Sequence, residues 1–213
     1  MCDIKTLSKA LPGVSSEARG QFVRYCDLIK KYNLRMNLIS RSALSEVVPK
    51  HLVDSYLGIQ VLEHLNAEAP PVFDFGSGNG FPGIVAAVLR PDLNFILVDR
   101  DQRKAEFLKI AYSHLGLSNV EVHPGNITDL GDSTCLLAMS RAMAPIPRFL
   151  LEARSCVGVG GKVFLFKGEN WTTELSECSP QMFDYWSVKM VKEYKLPDKG
   201  ESERFIVECL RIE

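Results

Sequence analysis

Asp74-Phe75-Gly76-Ser77-Gly78-Asn79-Gly80-Phe81-Pro82-Gly83 is the stretch on which the reading of this 213-residue chain turns. It follows the apolar run Val72-Phe73-Asp74-Phe75, which predicts a strand, and it leads into a helical pattern over Gly83 to Leu89. Glycines at every second residue let a backbone turn sharply and approach a ligand more closely than side chains permit. Pro82 suits the first turn of the helix that follows, where a missing N–H costs nothing.

Working outward, further apolar runs at Phe95-Ile96-Leu97-Val98, Val120-Glu121-Val122, Cys135 to Met139 and Lys162 to Phe166 predict strands. Between them, Gln102 to Leu115 and Pro147 to Val157 have helical spacing. Strands alternating with helices imply parallel pairing through right-handed crossovers, an α/β doubly wound sheet. Tyr185 to Tyr194 and Arg204 to Leu210 are two β-rich runs joined by Leu196-Pro197-Asp198-Lys199-Gly200. They predict an antiparallel hairpin at the sheet edge. On the N-terminal side, Phe22, Tyr25, Cys26, Ile29, Tyr32 and Met36 recur every three or four residues and predict a helix from Ser16 to about Leu38. A second periodic stretch follows Ser42 and is interrupted by Pro49. The expected organisation is a helical cap over residues 1–65 and one compact ligand-binding unit over 66–213.

With 46% hydrophobic residues the chain can bury a continuous core. No apolar run reaches the roughly 20 residues of a membrane span, and Met1-Cys2-Asp3-Ile4-Lys5 lacks a secretory pattern. A cytoplasmic protein without a membrane partner is expected, and no oligomer is implied. The six cysteines form no C-x-x-C pair and no zinc-ligand spacing, so reduced thiols and no metal are expected. The formal net charge of −1 argues against a basic nucleic-acid coat. Residues 1–60, however, hold nine Lys/Arg against five Asp/Glu, so phosphate is more readily met on the N-terminal side.

Gly78, Gly80 and Gly83 satisfy the G-x-G-x-x-G dinucleotide fingerprint, and Asp99 follows at the spacing of a ribose-binding acid. Two features favour S-adenosyl-L-methionine over a nicotinamide. The strand ends in Asp74 and the loop opens at Gly76, giving D-x-G-x-G-x-G, and the chain is too short for the substrate domain most dehydrogenases carry. Asp99, ending the second strand, can accept two hydrogen bonds from a ribose diol. Asp74 has two readings, a bond to loop amides or a water-mediated one to the cofactor's amino group.

Beyond the loop, Lys50-His51-Leu52-Val53-Asp54-Ser55, Gly80-Phe81-Pro82-Gly83, Lys104-Ala105-Glu106-Phe107-Leu108, Ser140-Arg141-Ala142, Phe166-Lys167-Gly168 and Glu203-Arg204 occur in an order and spacing that resemble a known family. So do Tyr32-Asn33 and Asn37-Leu38-Ile39-Ser40. The family is that of the bacterial small-subunit (16S) ribosomal RNA guanine-N7 methyltransferases, also called glucose-inhibited division protein B. The resemblance implies a Rossmann-like class I methyltransferase fold and S-adenosyl-L-methionine as cofactor, with ribosomal RNA or the small subunit as partner. It also implies that Gly76 and Phe81 line the cofactor pocket, that Ile127 and Thr128 lie near the adenine, and that Arg141 and Lys167 face the catalytic mouth; with Ser77, Gly78 and Gly80 of the same loop and Asp99, these residues and Arg141 are the expected cofactor contacts. The family usually has an arginine at the place of Asn126 and a glutamate at that of Thr128.

Nitrogen-7 of guanine carries a lone pair and no proton, so methylation there needs alignment rather than a general base. The sequence agrees, lacking both an Asn/Asp-Pro-Pro-aromatic element and a Pro-Cys nucleophile. A methyltransferase acting on another RNA, a protein or a small molecule, and a catalytically silent binding module, are the alternatives that the residues leave open. His51 and Asp54, three apart on one helical face, fit either a site or a structural contact.

Overall fold

The computed structural model describes residues 2–36, 47–197 and 200–213. Ser42, the segment Asn37-Leu38-Ile39-Ser40, and Asp198 and Lys199 of the hairpin turn therefore lie outside the described residues. Seven strands form one sheet: β1 (Val72–Phe75), β2 (Phe95–Asp99), β3 (Val120–Pro124), β4 (Cys135–Arg141), β5 (Val157–Lys167), β6 (Trp186–Lys195) and β7 (Glu203–Arg211). Their order is β3-β2-β1-β4-β5-β7-β6. The first five pair in parallel, while β7 runs antiparallel to both β5 and β6. The expected doubly wound sheet with a C-terminal antiparallel hairpin is thus present. Strand order reverses on either side of β1, which makes the carboxyl end of β1 the switch point where open α/β sheets leave a crevice.

Both faces are covered. On one lie α2 (Ser16–Met36), α4 (Gly83–Leu89) and α5 (Gln102–Leu115), with α1 (Ile4–Ala10) and α3 (Val53–Gly58). Phe22, Tyr25, Cys26 and Ile29 of α2 are fully buried there, as the three-and-four spacing requires, against a core including Ile84, Leu97 and Phe107. On the other face α6 (Ile146–Ala153) buries Ile146, Phe149 and Leu150 against Phe75, Val163 and Leu165. Local chemistry sets the ends of α5: the Asp101 side chain accepts the Arg103 N–H, and Gly116 closes the helix at φ 70°. Among the described residues no helix is long and apolar enough to cross a membrane.

Several expectations are corrected. The sixth helix stops at Ala153, and Val157 opens β5, because Gly158, Gly160 and Gly161 weaken a helix but suit an irregular strand start, where the register with β4 shifts. Around Pro49 the chain forms a π-helical turn over Val47–Leu52 before α3, since proline cannot donate to an α-helical ladder. Two α-helices had no prediction, α1 and a short α7 (Trp171–Ser176). The cysteines were expected to be reduced, but Cys2 and Cys26 form a disulfide, brought to a Cα separation of 6.3 Å by the turn between α1 and α2. Cys135, Cys156, Cys178 and Cys209 are free. Burial pushes Cys135, Cys156 and Cys209 up to about 12, 11 and 12, so these thiols behave as packing groups.

Candidate active site

The loop after β1 is a sequence of backbone bonds that consumes its own polar groups. The N–H groups of Gly76 and Ser77 both donate to Val98 O, at 2.9 and 3.0 Å, tying the loop to β2. Ser77 Oγ donates to Asp74 O at 2.7 Å, and the Gly78 N–H donates to Asp99 Oδ2 at 2.6 Å. Asp99 Oδ1 accepts the Asp101 N–H at 2.9 Å, so its buried carboxylate is held rigidly. A carboxylate offers about four lone-pair sites, so acceptor capacity remains for a diol.

Asp74 takes the first of its two readings. Its Oδ2 accepts the Gly83 N–H at 2.9 Å at the start of α4. Gly83 must be glycine for this approach, since a Cβ would meet Asp74 Oδ2 at 2.5 Å and collide with Leu97. Asp74 Oδ1 is buried without a partner among the described residues. Burial pushes the carboxyl up to about 7, against the opposing pull of the Gly83 N–H, Ser77 and the Arg141 charge. Because the folded value lies above the unfolded one, the unfolded chain loses its proton first. Asp74 therefore costs stability progressively as pH rises from about 4 to about 7. Asp74→Asn keeps an oxygen for Gly83 and removes that titration. In urea unfolding its stability relative to the parent should move in the variant's favour across this window, by on the order of 4 kcal/mol. A difference independent of pH would contradict the assignment.

Two cavities adjoin at Gly76 and the turn Ala142-Met143-Ala144. The first, about 500 Å³, lies over the end of β2 and is lined by Asp99, Lys104, Ile127, Thr128 and Arg148. Ile127 is buried at its floor, in a short turn capped reciprocally by Asn126 and Asp129. The second, about 740 Å³, is bordered by Ser77, Gly78, Phe81, Arg141, Lys167 and Arg204. Gly80 alone of the expected cofactor residues lines neither; it packs beneath the loop against Tyr25, Ile84 and Leu108.

Arg141, at the end of β4, is the hub of the second cavity. It donates to Asp54 Oδ2 at 3.0 Å, contacts His51 Nδ1 at 3.1 Å, and lies 5.5 Å above the Phe81 ring. His51 stacks on the same ring at 5.3 Å. Tyr194, from β6, donates its hydroxyl to Asp54 Oδ1 at 2.8 Å. Burial and the neighbouring Asp54 charge push the Tyr194 hydroxyl far up, so it stays a donor. The Arg141–Asp54 pair is nearly dry, with side chains 14% and 7% exposed. Lys167 borders the cleft, but its ammonium donates to Ala144 O at 2.9 Å and to Glu174 Oε2 at 2.7 Å. On the other side Tyr25 donates to Asn79 O from beneath the loop.

Among the described residues no group of three or more His, Cys, Asp or Glu side chains is placed to hold a metal ion. Tyr25, Tyr194 and Glu174 had no place in the sequence-based site. For Tyr25 a signal existed, since a buried tyrosine needs a partner for its hydroxyl.

Comparison with known proteins places these features in context. The family described as rRNA small subunit methyltransferase G matches residues 18–207. Ribosomal RNA small subunit methyltransferase G 3 of Bdellovibrio bacteriovorus is 34% identical over 186 residues, covering 87% of this chain and 84% of the relative. Ribosomal RNA small subunit methyltransferase G of Paracoccus denitrificans is 35% identical over 154 residues, covering 72% and 78%. Among solved structures, the YcgJ protein of Bacillus subtilis superposes with a TM-score of 0.57 at 15% identity, over 76% of this chain and 100% of its own. MtNAS, solved with S-adenosylmethionine, superposes with a TM-score of 0.56 at 15% identity, over 99% and 84%. At such identities these neighbours show the shared Rossmann-like fold.

Proposed function

We propose a function from one premise, that this chain belongs to the rRNA small subunit methyltransferase G family: it binds S-adenosyl-L-methionine at the carboxyl edge of the sheet and methylates nitrogen-7 of a guanine in small-subunit ribosomal RNA. The observation that carries the reading is the juxtaposition of two cavities at Gly76, one with the Asp99 carboxylate and one with the Arg141 cation.

The residues fit such a cofactor. Asp99 has acceptor capacity for a ribose diol, and buried Ile127 offers an apolar floor for an adenine beside Thr128. At Gly76, where the two cavities adjoin, a Cβ would press on Met143 at 3.0 Å. When bound there, S-adenosyl-L-methionine supplies a methyl group activated by a sulfonium charge. Gly76, Ser77, Gly78 and Phe81 line the second cavity, while Gly80 supports the loop from below.

The protein's part is alignment and charge. Nitrogen-7 presents a lone pair and no proton, so no side chain has to remove one. Arg141 has five N–H donors and spends two contacts on Asp54 and His51, which leaves donors for guanine oxygen-6 or a phosphate. Lys167 spends two of three donors on Ala144 and Glu174 and keeps one for the cleft. Deleting the gene should remove one 7-methylguanosine from small-subunit RNA, read by nucleoside mass spectrometry, and restoring it should return the nucleoside. RNA that keeps every 7-methylguanosine would refute the substrate assignment.

A further inference from the structure

Tyr194 lines neither cavity, yet its hydroxyl reaches the charged pair at the edge of the second. Its ring packs half-buried against the main core. Within the pair the two Asp54 oxygens are divided: Oδ2 accepts from Arg141 at 3.0 Å and Oδ1 accepts from Tyr194 at 2.8 Å. Arginine and carboxylate readily meet as a fork of two parallel N–H···O bonds, because the two planar groups match in spacing. This pair is nearly dry, and in such surroundings each added bond to a charge counts for more. A fork would therefore be favoured if Oδ1 were released. It would consume a second guanidinium nitrogen of Arg141, which already meets His51 through Nη2, and would leave fewer donors for a molecule in the cavity.

We infer that Tyr194 is a positioning residue for methyl transfer: by occupying Asp54 Oδ1 it holds Asp54 to Arg141 through one oxygen, and so keeps guanidinium donors free for the substrate. The inference rests on the substrate role given to Arg141 above and names what keeps that arginine available. Burial and the Asp54 charge keep the hydroxyl protonated, so the division of the two oxygens persists at neutral pH.

Tyr194→Phe deletes the hydroxyl and keeps the ring, and two measurements on the full chain read the result. In steady-state transfer to small-subunit particles, kcat/KM for the RNA should fall roughly 10-fold, the worth of one donor to the substrate, while the Kd for S-adenosylhomocysteine stays within about twofold. In an Asp54→Asn background the same substitution should change kcat/KM by no more than about twofold, because asparagine has one oxygen and cannot form the fork. A merely structural hydroxyl would weaken cofactor binding together with transfer, and would do so in both backgrounds; that result overturns the inference, as does an unchanged kcat/KM. The second measurement is a crystal structure of Tyr194→Phe, in which both Asp54 oxygens should bond Arg141. A carboxylate still held through Oδ2 alone overturns the inference whatever the rates. A parent protein that transfers no methyl to RNA refutes the proposed function and this inference with it, an outcome distinct from parental activity that Tyr194→Phe leaves intact.

Discussion

Arg141→Ala is expected to lower methyl transfer by roughly 10²–10³-fold, the usual loss when a positioned donor is removed from a reacting centre. It is also expected to destabilise the fold by about 3–5 kcal/mol, because truncating one partner of a buried pair strands the other charge. The stranded group is Asp54, whose side chain is 7% exposed and would keep the Tyr194 hydroxyl but lose its guanidinium partner. The two effects separate in combination. Adding Asp54→Asn to Arg141→Ala removes the unpaired charge and should recover much of the stability, measured by urea unfolding, while transfer stays low. Recovery of activity together with stability would show that Arg141 acts only as a structural ion pair.

Gly80→Ala should cost about 2–5 kcal/mol and abolish detectable cofactor binding. Gly80 sits at φ 88°, where a side chain is strained by about 1–2 kcal/mol. A Cβ there would also meet Tyr25 Oη at 2.5 Å and Ile84 Cγ1 at 2.6 Å, and overpacking of this kind costs about 1–3 kcal/mol more. Relief requires Tyr25 to move, which breaks its bond to Asn79 O and frees the loop. Gly131→Ala is the control. Gly131 has φ 76°, but its Cβ would meet nothing within 4 Å, so it should show only the backbone strain and unchanged binding. Equal losses at the two positions would mean that the packing under the loop is unimportant.

The features legible in the sequence are those encoded locally. Strand, glycine loop and helix follow one another over Val72 to Leu89, and each leaves its own signature there. The α2 periodicity is equally plain, because Phe22, Tyr25, Cys26 and Ile29 all face one core. The short α7 left no trace because Trp171 and Leu175, half-buried against the core, are too few in six residues to establish a period. Val157 was misread because an apolar residue beside glycines fits either the end of a helix or the start of a strand. Arg141 and Asp54 could each be flagged by type and position, yet nothing local joins them. They are 87 residues apart, and Tyr194 is 140 from Asp54, so only the crossover topology makes them neighbours. The same holds for Cys2 and Cys26, joined across 24 residues by the α1–α2 turn. The disposition of Asn79 depends likewise on Tyr25, 54 residues away.

The most direct test of the central claim is transfer of labelled methyl from S-adenosyl-L-methionine by the purified protein to small-subunit particles and to naked small-subunit RNA, both from cells lacking the gene. Label recovered as 7-methylguanosine with the parent protein, and lost with Arg141→Ala, is the predicted result. Label absent from RNA despite measurable cofactor binding, or recovered in another nucleoside, would contradict it.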